Sequence, residues 1–256
     1  MSDHTKGGRT VKTTETVFTV IEGLEELDGA RVTELADHLE LADSTVHSHL
    51  ATLYDMGYVV KEGDQYLIGS RFLKLGEAAK ERKEAFDMVK PKVKELAEKT
   101  EERCQFIVEE HGRGVYLHRE TGSRAVWTDS GLGNRIYLHS TASGKTVLAN
   151  LPEERVDAIF DRWGLPALTN NTITERAELL EELDTIREQG YAVNEEESTE
   201  GLRAVGVPVM DGSGDLVGAL SVSGPSHRMK GEWYEREIPD LLLGTANELE
   251  LNLQYS

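Results

Sequence analysis

From Glu15 to Leu27, apolar residues recur at three- and four-residue steps. Val17, Val20, Ile21, Leu24 and Leu27 form one stripe, which predicts an amphipathic helix. Asp28-Gly29 ends it. A second short helix carries Val32, Leu35, Ala36 and Leu39, and Leu41-Ala42 turns the chain within a few residues. Asp43 or Ser44 is expected to cap a third helix, Ser44 to Met56, in which Val46, Leu50 and Leu53 share a face and which Gly57 closes. Two strand-like runs follow, Tyr58-Val59-Val60 and Gln65-Tyr66-Leu67-Ile68. The loop from Lys61 to Asp64 joins them around a glycine, as in a hairpin. Three short helices and a hairpin in roughly 60 residues make the plan of a winged helix-turn-helix.

The pattern then loosens. Arg71 to Lys83 is helical but sparsely apolar, which suits a linker helix. A helix from Phe86 to Lys99 accommodates Pro91 only if the proline sits in its first turn. Strand-like runs come next, at Cys104 to Glu109, Val115 to His118, Ala125 to Asp129, Tyr191 to Asn194, Leu202 to Met210 and Leu216 to Ser223. They mix with helices near Thr141 to Asn150, Glu153 to Arg162, Glu175 to Gln189 and Glu232 to Leu253. Asp211 to Asp215 reads as a hairpin turn. The irregular order of strands and helices predicts an α+β domain with a mainly antiparallel sheet. The expected division is a DNA-binding domain at 1–70, a linker helix at 71–85 and a second domain at 86–256.

Composition changes this picture in one respect. The 256-residue chain holds 47 Asp and Glu against 28 Lys and Arg, a formal net charge of -19. Residues 1–76 alone carry 13 acidic against 7 basic side chains. A DNA-binding domain is ordinarily basic, so charge alone argues against nucleic acid. The acids are spread through every predicted element, however, as in proteins of extreme halophiles. In molar salt, screening to about 3 Å removes their mutual repulsion along with most long-range attraction to phosphate. Affinity for DNA would then rest on base contacts and shape. No run reaches the roughly 18 to 20 apolar residues needed to cross a bilayer, and the polar opening is unlike a signal peptide, so a cytoplasmic protein is expected. The lone Cys104 excludes an internal disulfide and reads as a small buried residue.

At 100° per residue, the third predicted helix turns Ser44, Thr45, Ser48 and Thr52 away from its apolar face, with His47 and His49 on the flanks. Small hydroxyls and a histidine can approach base edges and phosphates closely, although the same face is also that of any solvated helix. Its place between a tight turn and a hairpin favours a recognition helix. Arg31, Thr33, Lys61 and Arg71 are candidate phosphate contacts.

Leu35-Ala36, Leu41, Ser44-Thr45-Val46-His47, Leu50, Leu53, Gly57-Tyr58-Val59, Tyr66-Leu67-Ile68-Gly69 and Leu75-Gly76 together resemble the IclR family of regulators. The resemblance continues in order through Leu138 to Lys145, Thr169 to Thr174, Gln189 to Ala192, Glu196-Glu197, Glu200 to Pro208 and Ser221 to Pro225. It implies a GAF-like effector-binding domain behind the winged helix-turn-helix. Two departures remove positive charge from the DNA face: Glu15-Thr16 stands where the family usually has Arg-Ala, and Ser48-His49 where it has Arg-Leu.

Carried over position by position, the resemblance lines the effector pocket with Ala125, Trp127, Ala142, Ser143, Asn194, Ala204, Ser221 and Ser223. Asn194 stands where a relative can carry Asp. A helix N-terminus at Thr141 to Gly144, two serine hydroxyls and an Asn suit a small carboxylate or polyol, with Trp127 as an apolar wall. Lys145 either adds charge there or is a plain surface lysine. Ser143-Gly144-Lys145-Thr146 is not a phosphate loop, because His139 occupies the position that requires glycine. Glu195-Glu196-Glu197 reads as a solvated or capping segment in preference to a metal site.

The competing reading is a small-molecule-binding enzyme with His111, His118 or His139 as general base. It lacks a nucleophile elbow, a histidine pair on a helix and a glycine-rich cofactor loop. The sequence thus predicts a regulator without catalytic residues, metal or cofactor. Its expected partners are double-stranded operator DNA, a small effector (organic acid, sugar acid or aromatic acid) and a second copy of the chain, as a homodimer or tetramer, with no membrane.

Overall fold

The first apolar stripe folds as α1 (Lys12–Glu26) in the computed structural model of the chain, which describes residues 10–125 and 131–255. The helix starts before the stripe because the solvated Lys12, Thr13 and Thr14 extend it without needing a packing partner. The chain divides into two compact units between Ala79 and Lys80.

In the first unit, α2 (Val32–His38) and α3 (Asp43–Asp55) pack with α1 around Val20, Leu24, Leu35, Val46, Leu50 and Leu53. The α2–α3 turn is closed by the Leu41 N–H on the Ala36 carbonyl, with Glu40 in the left-handed region at φ 54°. The expected cap of α3 is corrected. Ala42 occupies the N-cap with no side-chain bond, and Asp43 lies within the first turn, where its charge favours the positive end of the helix dipole. Met56 is the C-cap, and Gly57 just beyond it takes φ 75°, a conformation that favours glycine. The wing is β1 (Val59–Glu62) against β2 (Gln65–Ile68), antiparallel, with Glu62 paired to Gln65 across a two-residue turn. Helix α4 (Arg71–Lys80) buries no residue.

The second unit opens with α5 (Glu84–Thr100). Pro91 lies well inside it and not in its first turn. The proline removes one backbone donor. The buried Phe86, Val89, Val93 and Leu96 on both sides of it hold the helix against the sheet. The sheet comprises β3 (Arg103–Glu110), β4 (Arg113–Thr121), β5 (Arg135–Ile136), β6 (Ala192–Glu195), β7 (Leu202–Met210) and β8 (Leu216–Pro225). Its order is β5-β4-β3-β8-β7-β6 with every pair antiparallel, the α+β plan expected. Most of the strand expected from Ala125 to Asp129 lies outside the described residues. Ala125 itself is not in a strand, and its N–H donates to the Gly122 carbonyl.

Strand alternation builds a core on each face of the sheet. One face turns Cys104, Phe106, Val205, Val207, Leu220 and Val222 onto α5 and α9 (Ile238–Gln254), the latter entered through a π turn at Trp233–Glu237. The other turns Ile107 and Ala219 onto α6 (Ala142–Ala149), α7 (Glu153–Trp163) and α8 (Arg176–Gln189). No helix among the described residues is long and apolar enough to cross a membrane.

Candidate functional site

On the α6 side of the sheet, two adjacent rows of residues are polar or small instead of bulky and apolar. One row is Arg103, Ser223 and Ala204, the other Gln105, Ser221 and Gly206, aligned by the register of β3, β8 and β7. Along β3 and β8 these positions are two and four residues from the core positions Ile107 and Ala219, so they share the core's face while opening a cavity at its end. The cavity measures about 350 Å³, a size suited to a small metabolite.

The start of α6 forms the wall opposite the sheet. The Thr141 hydroxyl caps the helix by accepting the Gly144 N–H at 3.0 Å, leaving the first-turn N–H groups of Ala142 and Ser143 without helical acceptors. Gly144 is required by contact: a Cβ there would stand 2.2 Å from the Leu138 carbonyl oxygen. Leu138 belongs to a 3-10 turn, Leu138–Ser140, that the hydrophobic pattern does not reveal.

Ala142, Ser143, Asn194, Ala204, Ser221 and Ser223 all border this cavity. Ala125 does not, and Trp127 lies outside the described residues. Asn194 is tied down: its amide N–H donates to the Ser140 carbonyl at 2.5 Å and its amide oxygen accepts the Glu197 N–H at 3.2 Å. It thereby fixes the 3-10 turn beside the cavity. Sequence reasoning missed Arg103, Gln105, Arg113, Tyr116, Arg135 and Arg203, which also line it. The signal for the first two was present in Arg103-Cys104-Gln105-Phe106, a strict polar–apolar alternation.

Among the described residues, four arginines and no carboxylate border the cavity, in a chain of net charge -19. Arg203 is paired with Glu195 at 3.1 Å. Arg113 donates to the carbonyls of Ile136 and Arg135 and lies 3.8 Å over the Tyr137 ring. Arg103 is buried, and its Nε donates to the Ser223 hydroxyl at 3.1 Å. Burial draws its guanidinium below the ordinary arginine value, and the neighbouring Arg119 acts in the same direction.

Lys145 is neither a pocket cation nor a surface lysine. It is 1% exposed, with Nζ 2.8 Å from Glu197 and 2.9 Å from Glu182. Glu197 is correspondingly no solvated residue but 5% exposed. Thr172 donates its hydroxyl to the Glu197 carbonyl at 2.6 Å, Thr169 to that of Glu196 at 2.8 Å, and the Asn171 amide to that of Glu195 at 3.0 Å. The Thr169 to Thr174 loop therefore clamps the acidic segment.

None of the histidines considered as general bases reaches the cavity. Burial lowers the pKa of His118 and His139. Their Nε2 atoms meet the Phe86 and Pro166 carbonyls. His111 sits exposed in a turn. Cys104 is buried, which pushes its thiol up to about 12 and removes it as a nucleophile.

On the first unit, Ser44, His47, Ser48 and Thr52 of α3 are exposed and Thr45 is half-buried. Ser48 donates its hydroxyl to the Ser44 carbonyl at 2.7 Å and Thr52 to the Ser48 carbonyl at 2.9 Å. These hydroxyls thus present their acceptor lone pairs outward. Of the candidate phosphate contacts, Thr33 is exposed and Arg31 lies 2.6 Å from Asp64 and 3.7 Å from Glu34. Lys61 lies 5.1 Å from the Tyr66 ring centre. Arg71 donates to the Met56 carbonyl at the end of α3, 4.7 Å over the Tyr58 ring.

A winged helix-turn-helix in one unit and an arginine-rich metabolite cavity in the other define a ligand-responsive DNA-binding protein. Residues 14–63 match the IclR helix-turn-helix domain, and residues 78–251 match the domain described as bacterial transcriptional regulator IclR C-terminal. The chain belongs to the IclR family. It is a DNA-binding transcriptional regulator of metabolic genes with a C-terminal effector domain, and not an enzyme. It is 31% identical to the "Probable HTH-type transcriptional regulator ArcR" of Halobacterium salinarum, over 92% of this chain and 91% of that one. It is 32% identical to the regulator KdgR of Escherichia coli, over 93% and 91%. The crystal structure of the Thermotoga maritima IclR superposes with a TM-score of 0.81 at 29% identity, covering 95% of this chain and 99% of that one.

Proposed function

We propose that this chain is a cytoplasmic, salt-adapted regulator that binds operator DNA as a homodimer or dimer of dimers and is switched by a small organic anion in the α6 cavity. The observation that carries the ligand class is the reversal of charge: in a chain of net charge -19, the described residues around the cavity include four arginines and no acid. The α6 N-terminus and Ser221 supply donors for one acid group. The acidic composition and the 31% identity to the Halobacterium relative support the salt-adapted reading. One helix-turn-helix reads a half-site, which supports pairing of two copies.

The test is a thermal-shift screen of small organic acids and neutral sugars in molar salt, followed by gel shifts of the promoter with each compound that binds. Organic acids are expected to raise the melting temperature and to change operator affinity. Stabilisation by neutral sugars alone would overturn the ligand class.

On the DNA side, Arg31, Thr33, Lys61 and Arg71 are assigned to phosphates, and Ser44, Thr45, His47, Ser48 and Thr52 to the major groove. Arg31 is partnered by Asp64 in the free protein, an exposed pair worth about 1 kcal/mol or less. Asp64→Asn is therefore expected to tighten operator binding several-fold and to steepen the salt dependence by roughly one phosphate contact. Fluorescence anisotropy across a salt series measures both. Unchanged affinity and slope would remove Arg31 from the phosphate set.

A further inference from the structure

The floor of the α6 cavity holds two buried donors that no described residue satisfies. Arg103 is 6% exposed, and its Nη1 has no hydrogen-bond partner among the described residues. Gln105, 4% exposed, leaves Nε2 equally bare. Both residues line the cavity, and alternation along β3 turns them to the same side. No carboxylate lies within ion-pair distance of Arg103 among the described residues. Its neighbour Glu102 is held instead by Arg228 in a two-pronged pair at 2.6 and 2.8 Å.

A buried, uncompensated guanidinium and an unbonded amide N–H are costly in a folded core, and both costs vanish if an acceptor group enters. One acid group of a ligand already has its donors at the α6 N-terminus and Ser221. Ser223 accepts from Arg103, and this pair lies one row along the sheet from Ser221.

We propose that the effector carries two acid groups, one at the α6 N-terminus and the second on Arg103 and Gln105, so that the cavity selects dicarboxylates over monocarboxylates. The proposal rests on the anionic-effector reading. It adds the valence of the ligand and names Arg103 as the residue that sets it. Arg103 binds the second group by charge-assisted hydrogen bonds, and Gln105 adds a neutral donor beside it.

The test titrates the full chain and its Arg103→Gln variant, in constant molar KCl, with butyrate and with the series malonate, succinate, glutarate and adipate. In the parent, the member whose length spans the two donor groups is expected to bind at least about tenfold tighter than butyrate, as a charge-assisted bond in a buried site allows. In Arg103→Gln that advantage over butyrate should disappear. The variant's melting temperature without ligand should equal or exceed the parent's, because a buried unpaired charge has been removed. That result separates a binding role from a structural one. Butyrate binding as tightly as every dicarboxylate, or a dicarboxylate advantage that survives in Arg103→Gln, overturns the proposal and leaves the anionic effector standing. No response to any of the five acids overturns both.

Discussion

Lys145→Met is expected to weaken the second unit by about 3–5 kcal/mol at neutral pH, the usual cost of removing one partner from a buried ion pair. The lysine is 1% exposed, and its ammonium holds Glu197, itself 5% exposed. Methionine fills most of the volume but leaves the carboxylate without a counter-charge. Among the described residues, Glu197 would then keep only the Glu195 N–H at 3.2 Å, on Oε1, while Oε2 has no partner.

The pH dependence follows from the sign of the Glu197 shift. Burial raises its carboxyl above the ordinary 4.5, and Lys145 pulls it back down. Without the lysine the folded-state value rises further, so the folded chain holds a proton that the unfolded chain has released. The contribution to stability is then present below about 4.5 and is lost as pH climbs through the raised value. Parent and variant should converge toward pH 4.5 and diverge above it. Denaturation followed by tryptophan fluorescence reports this unit, since Trp127, Trp163 and Trp233 all follow Lys80 in the sequence. Adding Glu197→Gln to Lys145→Met should recover most of the loss at neutral pH. A single variant within about 1 kcal/mol of the parent would mean that water, and not Lys145, solvates Glu197.

His47→Ala with Ser48→Ala is expected to abolish sequence-specific binding while sparing the weak non-specific component. Each well-placed base contact contributes about 1–3 kcal/mol of discrimination, so the pair represents roughly a thirtyfold to ten-thousandfold loss. The effect should be large because so little else holds the DNA. Glu15, Ser48 and His49 supply no lysine or arginine at their positions, and Arg31 and Arg71 are already engaged in the free protein. Affinity should also fall less steeply with salt than for a protein making six to ten phosphate contacts. Operator binding by the double variant equal to the parent's would remove these two side chains from the reading surface.

The helix-turn-helix was legible because each of its helices shows a clean period: Leu35-Ala36 and Val46, Leu50 and Leu53 can face only one core. The sheet was legible for the complementary reason, that Leu202 to Met210 and Leu216 to Ser223 are long runs bounded by turn residues. The sense of Lys145 was not. Nothing local distinguishes a lysine on a solvated helix from one whose partners lie 37 and 52 residues away. Pro91 misled for a similar reason, since tertiary packing of Phe86, Val89 and Val93 holds a helix that propensity alone would break. The cavity was half legible. Residues taken from family resemblance fall around it, apart from Ala125 and the undescribed Trp127. Arg103 and Gln105 were missed because a short polar–apolar alternation does not say which face meets solvent and which a ligand.

That alternation also shapes how such a sensor can change. On β8, Leu220 and Val222 anchor one core while Ser221 and Ser223 between them face the cavity, and on β3 Cys104 and Phe106 do the same beside Arg103 and Gln105. Recognition and folding are thus written on alternate letters of the same strands. A duplicated copy of this gene could acquire a new inducer through a few interleaved codons, each neutral for the scaffold, which is a short mutational route from one regulon to another.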